Sequence, residues 1–203
     1  TNMYFKTIQS AAVKSVFEVL KDIINDVNIY ASSEGLRILT LDTARAALVD
    51  TFLYADNFEE YSCPTETVIG VNITNLFKLL KTISHSDVLE CSVRNKDSLH
   101  IKIYNVEKHT STEFELKLLD IDEDRLEPPE PGNANRMQIP SSDFQRICRD
   151  MGNIATEVDI IRQDKELIIS CDGDFAKQKT VITYESDSDI STSGTYSLKY
   201  LNL

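Results

Sequence analysis

Two stretches of this chain repeat each other without a gap. "IQSAAVKSVFEVLKDIINDVNIYASSEGLRILTLD" at residues 8–42 lies over "IPSSDFQRICRDMGNIATEVDIIRQDKELIISCDG" at residues 139–173. Ile8 meets Ile139, Ser10 meets Ser141, Val13 meets Phe144, and Leu20 meets Met151. Further on, Val27 meets Val158, Leu36 meets Leu167, and Ile38 meets Ile169. The shared apolar positions follow helical spacing first and period two afterwards. Each copy predicts a strand, a serine N-cap at Ser10 or Ser141, a helix, a strand, a tight turn and a strand. Chance rarely aligns a cap, a helix face and a hairpin at one offset, so the chain reads as two copies of one domain.

The first copy continues with a strand and a second short helix in "PTETVIGVNITNLFKLLKTI", with Thr74 or Asn75 as its cap and Leu76, Leu79 and Leu80 as its buried face. Antiparallel hairpins follow in "DVLECSV", "SLHIKIY" and "TEFELKLLD". An acidic stretch at residues 120–135, "DIDEDRLEPPEPGNAN", carries three prolines and one glycine and reads as an extended linker. Leu119, Ile121 and Leu126 give it apolar points that lie on a surface. The expected domains are therefore 1–119 and 136–203, joined by 120–135. In the second, the stretch "ESDSDISTSGT" reads as a loop, a deletion or an excised disordered segment. The tail "YSLKYLNL" resembles the start of the second helix. A further half-domain of roughly fifty residues is the expected remainder of a complete second copy.

Composition sets the classes. The 203 residues suffice for one large or two small cores. No apolar run approaches the roughly 18 residues of a membrane span, and "TNMYFKTIQS" lacks the regions of a secretory signal. Cys63, Cys91, Cys148 and Cys171 are widely spaced and read as free buried thiols, which fit nucleus or cytoplasm. His85, His100 and His109 stand apart from cysteines and carboxylates at ligand spacing, so no metal and no cofactor are expected. Phosphate-loop, nucleophile-elbow, zinc-protease and dinucleotide motifs are absent from the sequence, and the expectation is a protein without enzymatic chemistry.

The chain is acidic, with 33 Asp and Glu against 21 Lys and Arg and a formal charge of −12. That argues against a generic nucleic-acid binder but leaves room for cations sorted onto one face. Three helices carry such pairs away from their apolar stripes: Lys14 and Lys21, Lys78 and Lys81, Arg146 and Arg149. Acidic neighbours Glu18, Asp22, Asp143 and Asp150 make these faces enriched rather than purely positive. Singly, each pair is more often a solvated helix face. Repeated on equivalent helices, long cations suit phosphates and supply salt-dependent attraction without base readout.

The stretches "VLKDIINDV", "LTLDTARAALV", "IGVNITNLFKLLK", "FELKLLDIDEDRLEPPE", "FQRICRDMGNI" and "LKYLNL" resemble the proliferating cell nuclear antigen family, the eukaryotic-type sliding clamps, over nearly the full length. The resemblance implies an α+β clamp fold of repeated βαβββ units, with sheets outside and short helices lining an inner face. It implies a homotrimeric ring around double-stranded DNA that binds without regard to sequence and tethers polymerases. Clamp-binding peptides and a clamp loader are the other implied partners, with no membrane, in a nucleus or a viral replication compartment. On this map Lys14, Lys21, Lys78, Lys81, Arg146 and Arg149 face DNA. Leu41, Ala46, Leu48, Leu126 and Pro128 form the partner-peptide pocket, and residues 120–135 are the interdomain connector. The strand with Phe114 and Leu116 pairs with that of Phe175 and Lys179 in the next subunit. Ala46 and Ala47 make the pocket small, Ser15 replaces a basic residue common in eukaryotic members, and Asp164 takes the place of their modified lysine. These departures point to a divergent member, from a large DNA virus or a protist. The alternative is a clamp-like interaction scaffold that does not encircle DNA.

Overall fold

The computed structural model describes residues 2–128, 137–184 and 191–203. The linker from 129 to 135 and the part of "ESDSDISTSGT" at 185–190 lie outside the described residues. The chain divides into two compact units, Thr1–Pro129 and Glu130–Leu203.

The first unit holds β1 (Met3–Thr7), α1 (Ser10–Leu20), β2 (Asp26–Ser32), β3 (Gly35–Leu41), β4 (Leu48–Tyr54) and β5 (Glu60–Ser62). It continues through β6 (Thr67–Asn72), α2 (Ile73–Leu80), β7 (Val88–Val93), β8 (Ser98–Asn105) and β9 (Thr110–Lys117). These strands form two antiparallel sheets, ordered β4-β3-β2-β6 and β5-β1-β7-β8-β9. Period-two burial is strict in β1, β7 and most of β8, so one face of that sheet packs inward and the other meets solvent. The helices bury Val13, Phe17 and Leu20 from α1, and Ile73, Leu76 and Leu80 from α2, while Leu79 is only half-buried. Both helices and both sheets meet at an apolar void of about 30 Å3, lined among others by Met3, Phe17, Ile29, Leu76, Leu89 and Leu99.

The second unit holds α3 (Ser141–Gly152), β10 (Glu157–Gln163), β11 (Glu166–Asp172), β12 (Lys177–Thr183), β13 (Ser191–Ser197) and α4 (Leu198–Leu201). Its sheet is ordered β12-β11-β10-β13, the same path as β4-β3-β2-β6. The repeat extends to single hydrogen bonds. At the start of α2 the Ile73 N–H donates to Asn25 O at 2.8 Å, and at the start of α4 the Leu198 N–H donates to Thr156 O at 2.9 Å. Likewise Ala55 N–H donates to Glu34 O at 2.8 Å, and Tyr184 N–H to Lys165 O at 2.9 Å. Ile147, Cys148 and Met151 of α3 pack with Val158, Leu167, Ile169 and Leu198 as the core of this unit.

Several local expectations give way to stronger forces. Ser10 and Ser141 are the first residues of their helices, not caps; the caps are Gln9 and Pro140, and neither caps through its side chain. Ser10 is buried, and its hydroxyl donates to Asp87 O at 2.6 Å, tying α1 to the loop before β7. The cap of α2 is Asn72, whose side chain accepts from the Asn75 N–H at 3.0 Å. Residues 137 and 138, which align with the end of β1, form no strand, and residues 134–136 of that stretch lie outside the described residues. Their counterpart β1 is held between β5 and β7, and the described part of the second unit offers no such partners. Residues 191–197 are a strand rather than a loop, because backbone pairing along β10 needs few apolar side chains at an edge. All four cysteines are free and buried. Burial pushes the thiols of Cys63, Cys91 and Cys148 up, which keeps them protonated and inert.

Candidate functional site

In the first unit four of the six singled-out cations fall on adjacent helices. Lys14 reaches Ile83 O at 2.8 Å, just beyond α2. The Lys21 ammonium lies over the Phe77 ring at 5.4 Å, near the middle of α2. These two contacts run in opposite directions along the chain, so α1 and α2 lie antiparallel. Lys21 also pairs with Asp22 at 2.8 Å. Both α1 lysines are thus half-buried with their ammonium groups engaged, and they fix the helix pair as well as charging it. Lys78 and Lys81 are exposed, with only a 3.4 Å contact from Lys78 to Asn75. Glu18 and Asp22 offset the α1 charges, so α2 carries the net positive part of this face. In the second unit Arg146 and Arg149 are both exposed on α3, and Arg146 stands 3.9 Å from Asp143.

A second surface lies on the outer side of β2 and β3. Leu41 and Leu48 are direct cross-strand partners at the end of the β3–β4 hairpin, 40% and 41% exposed. The turn between them is built around Asp42, which is itself only 3% exposed. Its carboxylate accepts from the N–H groups of Ala46 at 2.7 Å, Ala47 at 2.8 Å and Ala44 at 3.2 Å. This cage holds Ala46 on the surface between the two leucines.

The chain after β9 then crosses the same sheet. Leu119 N–H donates to Gly70 O at 2.8 Å. A side chain at Gly70 would collide with the Leu119 carbonyl, which is why glycine stands there. Further along, Asn28 donates to Ile121 O at 3.0 Å, and Thr40 donates to Glu123 at 2.8 Å. Arg125 pairs with Glu66 at 2.6 Å while its guanidinium stacks over Tyr30 at 4.7 Å. Leu126 and Pro128 line a cleft of about 400 Å3 with Tyr30, Arg37, Leu39 and Arg125. Leu41, Ala46 and Leu48 are not part of that lining, so the five singled-out pocket residues divide between the cleft and the hairpin end. Arg37, held by Asp50 at 2.8 Å, and Arg125 were not singled out from sequence. Leu39 had a legible signal: with Leu41 it puts leucines on the strand face where alternation calls for polar residues.

Phe114 and Leu116 are half-buried on β9, the edge of its sheet. Lys179 is exposed on β12, also an edge, and Phe175 just before it is 77% exposed.

Two repeated α+β units with helix-borne cations and open sheet edges define a clamp-fold protein. Residues 3–126 match the proliferating cell nuclear antigen, N-terminal domain, and residues 129–202 match its C-terminal domain. A protein named probable DNA polymerase sliding clamp 1, from Paramecium bursaria Chlorella virus 1, is 35% identical over 212 aligned positions, covering 98% of this chain and 80% of the relative. Proliferating cell nuclear antigen of Chaetomium thermophilum is 31% identical over 205 positions, covering 95% and 79%. The chain belongs to the proliferating cell nuclear antigen family.

Proposed function

We propose that this protein is a DNA sliding clamp, a processivity factor that encircles double-stranded DNA and tethers polymerases and other replication and repair proteins. The observation that carries the reading is the match of both clamp domains along the chain, joined to helices that hold cations in an otherwise acidic body. Lys78, Lys81, Arg146 and Arg149 meet phosphates directly, and Lys14 and Lys21 contribute from a half-buried position. Such contacts attract by charge and counterion release and carry no sequence information, which suits a protein that slides.

The cleft of Leu126 and Pro128 and the hairpin end of Leu41, Ala46 and Leu48 receive a peptide of a client protein. The protein works as a homotrimer, is loaded by a clamp loader, carries out no catalysis of its own, and acts in a nucleus or a viral replication compartment. Among the described residues the three sheets end on six edge strands, β4 and β9 among them, and open edges suit a subunit that closes by edge-to-edge pairing.

Sedimentation equilibrium tests the assembly. A trimeric mass supports the ring, and a stable monomer at all accessible concentrations supports the interaction scaffold instead.

A further inference from the structure

The cleft beside Leu126 and Pro128 carries positive charge in an acidic chain. Its charged lining is Arg37, Arg125 and Glu127, two cations against one anion, while the whole chain stands at −12. The two guanidinium groups flank one ring. Arg125 stacks over Tyr30 at 4.7 Å, and Arg37 is the direct cross-strand partner of Tyr30. Directly opposed residues have Cβ atoms about 4.5–5.5 Å apart, so one incoming side chain over Tyr30 meets both cations.

The partners of these arginines hold them from outside the cleft. Asp50 accepts from Arg37 Nε at 3.0 Å and Nη2 at 2.8 Å, and Glu66 accepts from Arg125 Nη1 at 2.6 Å. Neither carboxylate lines the cleft. A guanidinium has five N–H donors, and these bonds use two on Arg37 and one on Arg125. The Phe52 ring, 5.9 Å from the guanidinium, steadies Arg37 further. A cation fixed in advance loses little freedom when a ligand arrives.

We propose that this cleft is an anion-selective subsite that takes an aspartate or glutamate of the client peptide, its carboxylate received by the unused donors of Arg37 and Arg125. The proposal rests on the client-peptide reading and names the kind of client the site favours. Strand geometry gives the spacing. Leu41, Leu39 and Arg37 recur at every second residue of β3, with Leu39 as a buried floor between the ends. A strand rises about 3.3 Å per residue, which puts Arg37 about 13 Å from Leu41. An extended peptide covers that distance in about four residues. The favoured client therefore carries an acidic residue about four positions from the apolar side chain seated on Leu41 and Leu48. A lysine at that position meets two guanidinium groups and is rejected.

Selection from a random peptide library displayed on phage tests this. The native chain is expected to enrich peptides with an apolar anchor and Asp or Glu about four positions away. One selected sequence is then synthesised with Glu, Gln or Lys at that position and titrated by calorimetry. Glu is expected to bind about tenfold tighter than Gln at low salt, with the ratio falling as salt rises. Arg37→Gln with Arg125→Gln is expected to bring the ratio near one, and Arg125→Glu to shift the preference toward Lys. Melting curves check each fold; should Arg37→Gln unfold the hairpin, Arg125→Gln alone, on an exposed side chain, is expected to lower the ratio several-fold. Anchored peptides without acidic enrichment, or a ratio that the variants leave unchanged, overturn the subsite and leave the client reading standing. Peptides whose binding survives Leu48→Asp, or no selected peptide at all, overturn the client reading and the subsite with it.

Discussion

Replacing Asp42 by alanine removes the acceptor around which the β3–β4 turn is built. The carboxylate is 3% exposed and takes three N–H bonds, two of them short at 2.7 and 2.8 Å. Hydrogen bonds to a charged group contribute about 1.5–3 kcal/mol each, with strong non-additivity when one group serves several donors. The alanine N–H groups lie near the surface and regain water when the turn loosens, which offsets part of the loss. The net cost is therefore about 2–4 kcal/mol, a large share of the roughly 5–15 kcal/mol stability of a small domain. Because the turn carries Ala46 and spaces Leu41 from Leu48, its loosening also lowers the affinity for a client peptide, by about tenfold or more. Urea unfolding measures the first effect and calorimetric titration with a clamp-binding peptide the second. Asp42→Asn keeps the shape and one good acceptor, so it falls between native and alanine. An Asp42→Ala protein within about 0.5 kcal/mol of native, with unchanged peptide binding, refutes the role given to this cage.

Arg125→Ala removes the pair with Glu66 and the stack on Tyr30; both are exposed, so it costs only about 1 kcal/mol, seen as several-fold faster protease cleavage within residues 122–128 at an unchanged melting temperature. Lys78→Glu with Arg149→Glu removes two exposed cations and is expected to weaken DNA association without unfolding, with the salt dependence shallower by about two phosphate contacts; untouched association contradicts the assignment of the DNA face. Burial pushes the Asp87 carboxyl up, but its bonds with Asn105 and the Ser84 N–H outweigh this and hold it below its ordinary value. Its stabilisation is then present above the unfolded pKa of about 4 and lost as pH falls through the folded value, so Asp87→Asn flattens the acid limb of a stability profile measured between about pH 5 and 2.

The sequence carried the repeat because helix and strand periods survive any exchange of apolar residues that keeps the face. Val13 for Phe144 and Leu20 for Met151 change volume and leave the stripe intact. The same property made the connector legible as a chain lying on a surface, through Leu119, Ile121 and Leu126. What the sequence hid depends on partners distant along the chain. Ser10 looks like a cap until Asp87 takes its hydroxyl. The strand at 191–197 has too few apolar residues to announce itself, and backbone bonds to β10 make it. Lys14 and Lys21 read as free cations, yet Ile83 O, Asp22 and the Phe77 ring occupy them. Arg125 lay unnoticed in an acidic linker because its partners are distant along the chain, Tyr30 on β2 and Glu66 just before β6. The alternation of Glu60, Lys6, Glu90, Lys102 and Glu113 across the five-stranded sheet exists only once register is known.

The central claim is that the protein holds DNA by topology and not by affinity. The direct measurement is retention of loaded protein on closed circular DNA through a high-salt wash, before and after a single cut that linearises the circle. The account predicts stable retention on the circle and rapid loss from the ends once it is cut. Equal retention on circular and linear DNA, or equal loss from both, contradicts it.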